Sequence, residues 1–138
     1  MIILFFISVY SLFITHFTDL PVITTITTSL QFSVGGTATL HCSVNDKSEP
    51  SVIFWSLNTN GKYQIIQPFT LDDRYTGSTT TSPSLIIHDV VEEDTGNYTC
   101  HAVNVLGVTF GEPIQLTLKG LGKFLNAEKK FFHLDLRH

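Results

Sequence analysis

Two stretches that alternate polar and apolar residues around the chain's two cysteines constrain the fold more than any other feature. In TATLHCSV (residues 37–44), Ala38, Leu40, Cys42 and Val44 fall on one side of an extended chain and Thr37, Thr39, His41 and Ser43 on the other. In NYTCHAV (97–103), Tyr98, Cys100 and Ala102 share a side. A period of two marks a strand with one buried face. VIFWSL (52–57) repeats the pattern with Ile53, Trp55 and Leu57, and PIQLTL (113–118) with Ile114, Leu116 and Leu118. SLIIHDV (84–90) continues the theme. Turn residues separate these runs at Gly35-Gly36, Asn60-Gly61, Thr76-Gly77-Ser78, Asp94-Thr95-Gly96 and Gly107. No long segment repeats at helical period, and the Thr-rich stretch 24–29 suits an edge strand. Short strands with turns at this spacing predict an all-β, antiparallel sandwich or barrel. A composition that is 43% hydrophobic and 14% charged supplies the core.

A sandwich holds two sheets about 10 Å apart. Cys42 and Cys100 both fall on the apolar sides of their runs, so a bridge between them, one cysteine per sheet, would pin the layers. Closing so long a loop is worth about 4 kcal/mol in the chain-entropy description. Trp55, the single tryptophan, would fill the space beside the bridge. Gly96 would permit the sharp corner before the second cysteine, and Tyr98 would turn its hydroxyl back to the backbone there while its ring packs inside.

These residues carry a resemblance. VGGTATLHC, Trp55, RYTGS, SLIIHDV, EDTGNYTC and HAVNVLG fall in the order found in immunoglobulin-superfamily domains, over about residues 22–118. CHAVNVLG is similar to the Cys-x-Ala-x-Asn-x-x-Gly pattern of I-set domains, the type common in adhesion molecules and receptor ectodomains. The resemblance implies an immunoglobulin-like two-sheet sandwich with one inter-sheet disulfide. It also implies a structural ion pair between Arg74 and Asp94 across the base of the sandwich. The cysteine spacing leaves room for a further edge strand around YQIIQ (63–67).

The ends differ from the middle. Residues 1–18 open with MIILFFISVYSLFI and carry no Asp, Glu, Lys or Arg, which resembles the apolar part of a secretory signal peptide; an uncleaved anchor is the alternative. Two cysteines behind such a segment suggest an oxidising compartment, hence a secreted or extracellular chain. Residues 119–138 form a basic tail, read as a linker or truncated end, with five basic residues against two acidic. Residues 1–118 hold three basic and ten acidic residues, an acidic body that argues against nucleic acid as a partner.

Nothing in the sequence marks an enzyme, a cofactor or a metal site. His41 and His101 point outward on what the resemblance makes opposite sheets, and with both cysteines bridged no His/Cys set remains for a metal. The acidic clusters at Asp72-Asp73 and Glu92-Glu93-Asp94 lack the shaped loop of oxygens that calcium needs, and Asp94 is taken by Arg74 on the resemblance. Asn97-Tyr98-Thr99 satisfies the N-glycosylation sequon, with Asn97 at an outward position. The informative surface is the outward face of the sheet that carries Trp55 and Cys100. There Phe54, His101 and Val103 alternate with core residues and form a candidate partner-binding patch. The expected function is an extracellular recognition module that binds a protein partner, a second copy of the chain included, as in adhesion or receptor ectodomains. A secreted single-domain defence factor taking a microbial or carbohydrate ligand is the second reading.

Overall fold

The computed structural model describes residues 19–45, 49–66 and 72–120. The signal-like segment 1–18 and positions 121–138 of the basic tail lie outside them. Eleven strands are present among the described residues: β1 (Ile23–Thr24), β2 (Ser29–Phe32), β3 (Ala38–Leu40), β4 (Ser43–Val44), β5 (Val52–Thr59), β6 (Lys62–Ile66), β7 (Tyr75–Gly77), β8 (Leu85–Ile87), β9 (Gly96–Asn104), β10 (Gly107–Phe110) and β11 (Ile114–Leu118). The one helical element among the described residues is a single 3-10 turn, Glu92–Asp94.

One layer is a six-stranded sheet in the order β2-β11-β9-β5-β6, with β10 also paired to β9. The opposite layer contains the β3-β8-β7 ladder and the β1-β4 ladder. β3 and β4 belong to one extended run, and the ladder breaks between them for a local reason. The Ser84 hydroxyl accepts from the Cys42 amide at 3.1 Å and donates to the Cys42 carbonyl at 3.3 Å, so a side chain satisfies both backbone groups in place of a strand. Pairing is antiparallel except between β11 and β2, which run parallel.

The Thr-rich stretch 24–29 is not one edge strand. β1 pairs with β4 in one layer, and β2 pairs with β11 in the other. The chain changes sheets over residues 25–28, where the Thr28 carbonyl accepts the Gln115 amide at 2.9 Å. A stretch that crosses between layers cannot keep one ladder, whatever its propensity.

The core lies between the layers and follows the period-two reading. Leu40, Trp55, Leu85, Ile87, Tyr98, Cys100, Ile114 and Leu116 are almost wholly buried. The Cys42–Cys100 disulfide joins the β3/β4 run to β9 across the core. Trp55 stands opposite Cys100 in the β5–β9 register, and its indole N–H donates to the Pro83 carbonyl at 2.9 Å, so the one polar atom of this buried ring is satisfied.

The base of the sandwich is closed by a polar cluster around Asp94, which is itself buried. Arg74 donates from Nη1 to Asp94 Oδ2 at 3.0 Å and from Nη2 to Oδ1 at 3.4 Å. The same carboxylate accepts the Val91 amide at 2.8 Å and the Tyr75 hydroxyl at 3.4 Å. The hydrogen bond to Asp94, with the charge of that carboxylate behind it, holds the Arg74 guanidinium pKa above its ordinary value against a lowering effect of burial. Tyr98 donates to the Asp94 carbonyl at 2.7 Å, and burial pushes its phenol pKa far above the usual range. Burial is also the main reason that Tyr75 is raised.

Candidate functional site

The long strands β5 and β9 position the outward face of the six-stranded sheet. They run antiparallel over seven paired positions, Val52↔Val103 to Asn58↔Asn97. Directly paired residues lie on the same face. Since Ile53, Trp55 and Leu57 are buried, their neighbours Val52, Phe54, Ser56 and Asn58 point away from the core together with Val103, His101, Thr99 and Asn97.

β10 extends this face. It pairs with β9 so that Val108 stands beside Val103 and Phe110 beside His101. Two cross-strand rows result, Val52–Val103–Val108 and Phe54–His101–Phe110. Phe54 and His101 are stacked, with ring centroids 4.5 Å apart and planes 4° from parallel. Phe110 meets the other side of His101 in a tilted arrangement at 6.1 Å. Both rows are open to solvent at their β10 ends, where Phe110 is 72% exposed and Val108 55%. On the far side of β5, Ile65 and Tyr63 of the edge strand β6 pair with Ser56 and Asn58 and are exposed too. None of these outward positions holds Asp, Glu, Lys or Arg.

His101 is held from one further direction. Its Nε2 lies 2.9 Å from the Ser56 hydroxyl. Burial lowers the imidazole pKa below its ordinary value. The ring is therefore neutral at physiological pH and behaves as a third aromatic member of the row.

The structure thus brings Phe54 and His101 into contact and places Val103 in the adjoining row. Asn97 lies on the same face at the opposite end of β9, exposed, paired with Asn58 on one side and Gln115 on the other. Sequence reasoning missed Val108, Phe110 and Ser56. GVTF (107–110) alternates after the two-residue turn Val105-Leu106, which is the signal of a hairpin's second arm, but the run is only four residues long. The Ser56–His101 contact had no signal in the sequence, because a hydroxyl and an imidazole on different strands meet only through register.

Two concave surfaces among the described residues are open to solvent and lined mainly by polar atoms. A cleft of about 330 Å³ is lined by Cys42, Ser43, Val44, Asn45, Pro50, Thr80, Thr81 and Pro83. A second, of about 230 Å³, lies beside Asn97 and includes Asn58, Thr59, Asn60, Gln115 and Thr117. Among the described residues, no three His, Cys, Asp or Glu side chains gather as metal ligands. No helix among them is long and apolar enough to cross a membrane.

With this geometry in view, the comparisons with known proteins are specific. The family model for the immunoglobulin domain matches residues 21–104. A 76-residue stretch is 36% identical to the human WAP, Kazal, immunoglobulin, Kunitz and NTR domain-containing protein 1, covering 54% of this chain and 13% of that protein. An 85-residue stretch is 33% identical to the cell adhesion molecule DSCAML1 of Gallus gallus, covering 62% of this chain and 4% of that one. Among solved structures, a chain from work on the structural basis for Dscam isoform specificity superposes with a TM-score of 0.60 at 27% identity, over 74% of this chain and 25% of that chain. The chain spans no more than about an eighth of the curated relatives it matches.

Proposed function

The chain belongs to the immunoglobulin-domain family, and we propose that it works outside the cell as a recognition module that binds a protein partner through the outward face of β5, β9 and β10. The observation that carries this reading is the pair of adjacent cross-strand rows, Val52–Val103–Val108 and Phe54–His101–Phe110. They present contiguous apolar and aromatic surface without a charged side chain. Charged residues are depleted and aromatic residues enriched at the cores of protein interfaces. A continuous exposed patch of this kind marks an interaction site more often than scattered exposed hydrophobes do.

Relatives that include cell adhesion molecules support an extracellular, protein-binding role. The buried disulfide supports an oxidising compartment. The chemistry of the patch favours a partner with a similarly uncharged, apolar surface, since burying a charge against it would go uncompensated.

The test is a binding comparison with the full chain, using labelled wild-type chain as probe against immobilised wild-type chain and against the surfaces of adherent cells. Phe110→Asp and Val108→Asp lie at exposed positions and should leave the melting temperature nearly unchanged while reducing binding at least tenfold. Binding that persists in both variants at the wild-type level rejects this face as the site.

A further inference from the structure

We infer that Asn97 is an N-glycosylation site whose oligosaccharide is attached before the domain closes. Asn97-Tyr98-Thr99 is the one Asn-x-Ser/Thr triplet in the chain. Asn97 is exposed, and Thr99, two residues on, faces the same side of the sheet. A glycan on Asn97 therefore meets no core atom.

Attachment proceeds from a lipid-linked oligosaccharide diphosphate. The Asn97 amide nitrogen, Nδ2, attacks the anomeric carbon of the first sugar. A C–N bond forms as the C–O bond to the diphosphate breaks, the diphosphate leaves with that electron pair, and one amide proton passes to a base on the transferase. The enzyme must bend the triplet into its own site and grip the threonine hydroxyl.

The folded chain forbids that bend. Asn97 is paired with Asn58 of β5 on one side and Gln115 of β11 on the other. Tyr98, the middle residue of the triplet, is fully buried, and its hydroxyl is committed to the Asp94 carbonyl at 2.7 Å. Cys100, the residue after the triplet, is held in the bridge to Cys42. Lifting the triplet out of the sheet would break two ladders and expose the tyrosine, which amounts to unfolding the domain. Transfer is therefore confined to the interval between entry into an oxidising secretory compartment and closure of Cys42–Cys100. The inference rests on the extracellular reading for that passage.

Placement of the glycan sharpens the reading of the face. Asn97 and His101 are four steps apart on one strand, about 13 Å. The sugar would sit over the polar end, beside the cleft that includes Asn58, Thr59, Asn60, Gln115 and Thr117. The aromatic row at the other end stays uncovered.

The experiment expresses the full chain in mammalian cells and reads glycosidase-sensitive gel mobility together with the state of the two thiols. A mobility shift should be present in wild type and absent in Asn97→Gln and in Thr99→Ala. The modified fraction should rise when dithiothreitol delays bridge formation. With detergent-solubilised oligosaccharyltransferase, reduced and alkylated chain should accept the oligosaccharide at least tenfold faster than purified, bridged, unmodified chain. An unmodified chain with its bridge closed overturns the inference alone. An unmodified chain with both thiols free overturns it together with the extracellular reading. Equal transfer to the bridged and the reduced chain overturns the required order of events.

Discussion

The Phe54 ring lies flat on the His101 imidazole, with centroids 4.5 Å apart and planes within 4° of parallel. The two residues are exact opposites in the β5–β9 register, so the stack is built into the strand pairing and needs no loop to hold it. It converts a histidine at an outward position into part of an apolar surface. The Ser56 hydroxyl, 2.9 Å from Nε2, gives that ring nitrogen a hydrogen-bond partner. A protonated ring in this place would carry a charge that its partly buried surroundings solvate poorly, which is the cause of its lowered pKa.

That shift makes stability depend on pH in a definite direction. The pKa of His101 is depressed below its ordinary value of 6.5 in the folded chain, so the unfolded chain binds the proton more readily. The contribution is fully present above the unfolded value and is lost as pH falls through the folded one. Melting curves of wild type and His101→Gln at about pH 7.5 and about pH 5 isolate the effect from the chain's other titrating groups. Wild type should lose more stability on acidification than the variant. Equal losses would show that His101 does not couple to folding.

Arg74 and Lys62 supply a second comparison. Arg74 places two guanidinium nitrogens at 3.0 and 3.4 Å from the carboxylate of Asp94, whose side chain is only 4% exposed, whereas Lys62 is exposed on the edge strand. Arg74→Ala leaves Asp94 with the Val91 amide and the Tyr75 hydroxyl but no neutralising charge. Its expected cost is about 2 kcal/mol, since the Asp94 bonds are charge-assisted and mostly shielded from water. Lys62→Ala should change stability by less than about 0.5 kcal/mol. Urea denaturation of the two variants decides the matter, and similar values would deny the ion pair a structural role.

What could be read from the sequence and what could not differ in kind. The alternation in 37–44, 52–57 and 97–103 exposed the two-layer core and the inward-facing cysteines, because burial on one face of a strand imposes period two directly on the residue order. The outward face was half legible. Phe54, His101 and Val103 are flanked by core residues on long strands, so parity alone assigns their side. Phe110 and Val108 belong to a four-residue strand whose partner register is set by the turn at Val105-Leu106, and a run that short leaves the pattern ambiguous. The change of sheets over residues 25–28 was illegible for another reason. Threonine propensity describes a pleated surface and says nothing about which of two layers offers the partner strand.

The tyrosine corner permits a clean deletion of one atom. Tyr98 is fully buried and donates to the Asp94 carbonyl at 2.7 Å. Tyr98→Phe keeps the ring in the core and strands that carbonyl. The expected loss is about 1–2 kcal/mol in equilibrium denaturation, with the sheet structure retained. A variant as stable as wild type would mean that the carbonyl finds another donor, and the corner would then owe its shape to the turn alone.

Gly96 begins the strand that carries Tyr98, Cys100 and His101, and its lack of a side chain is a packing requirement. A β-carbon there would stand 2.6 Å from Leu57 Cδ1, 2.7 Å from Thr59 Oγ1 and 2.9 Å from the Asn58 carbonyl oxygen, all closer than van der Waals contact. None of the three can yield cheaply. Leu57 is buried in the core, the Thr59 hydroxyl is tied to the Thr95 carbonyl at 3.2 Å, and the Asn58 carbonyl belongs to the backbone of β5. Gly61 offers the contrast, since it has φ +81° but nothing within 4 Å of its would-be β-carbon. Gly61→Ala should therefore cost only the strain of a left-handed residue, about 1 kcal/mol. Gly96→Ala adds a clash against fixed neighbours and should cost about 3 kcal/mol, near the upper end for overpacking. Gly96 has φ +156°, so its substitution carries backbone strain as well, and urea unfolding of both variants reads what the close contact adds. If Gly61→Ala proves the more damaging of the two, the close approach of β9 to β5 is not what selects glycine at position 96.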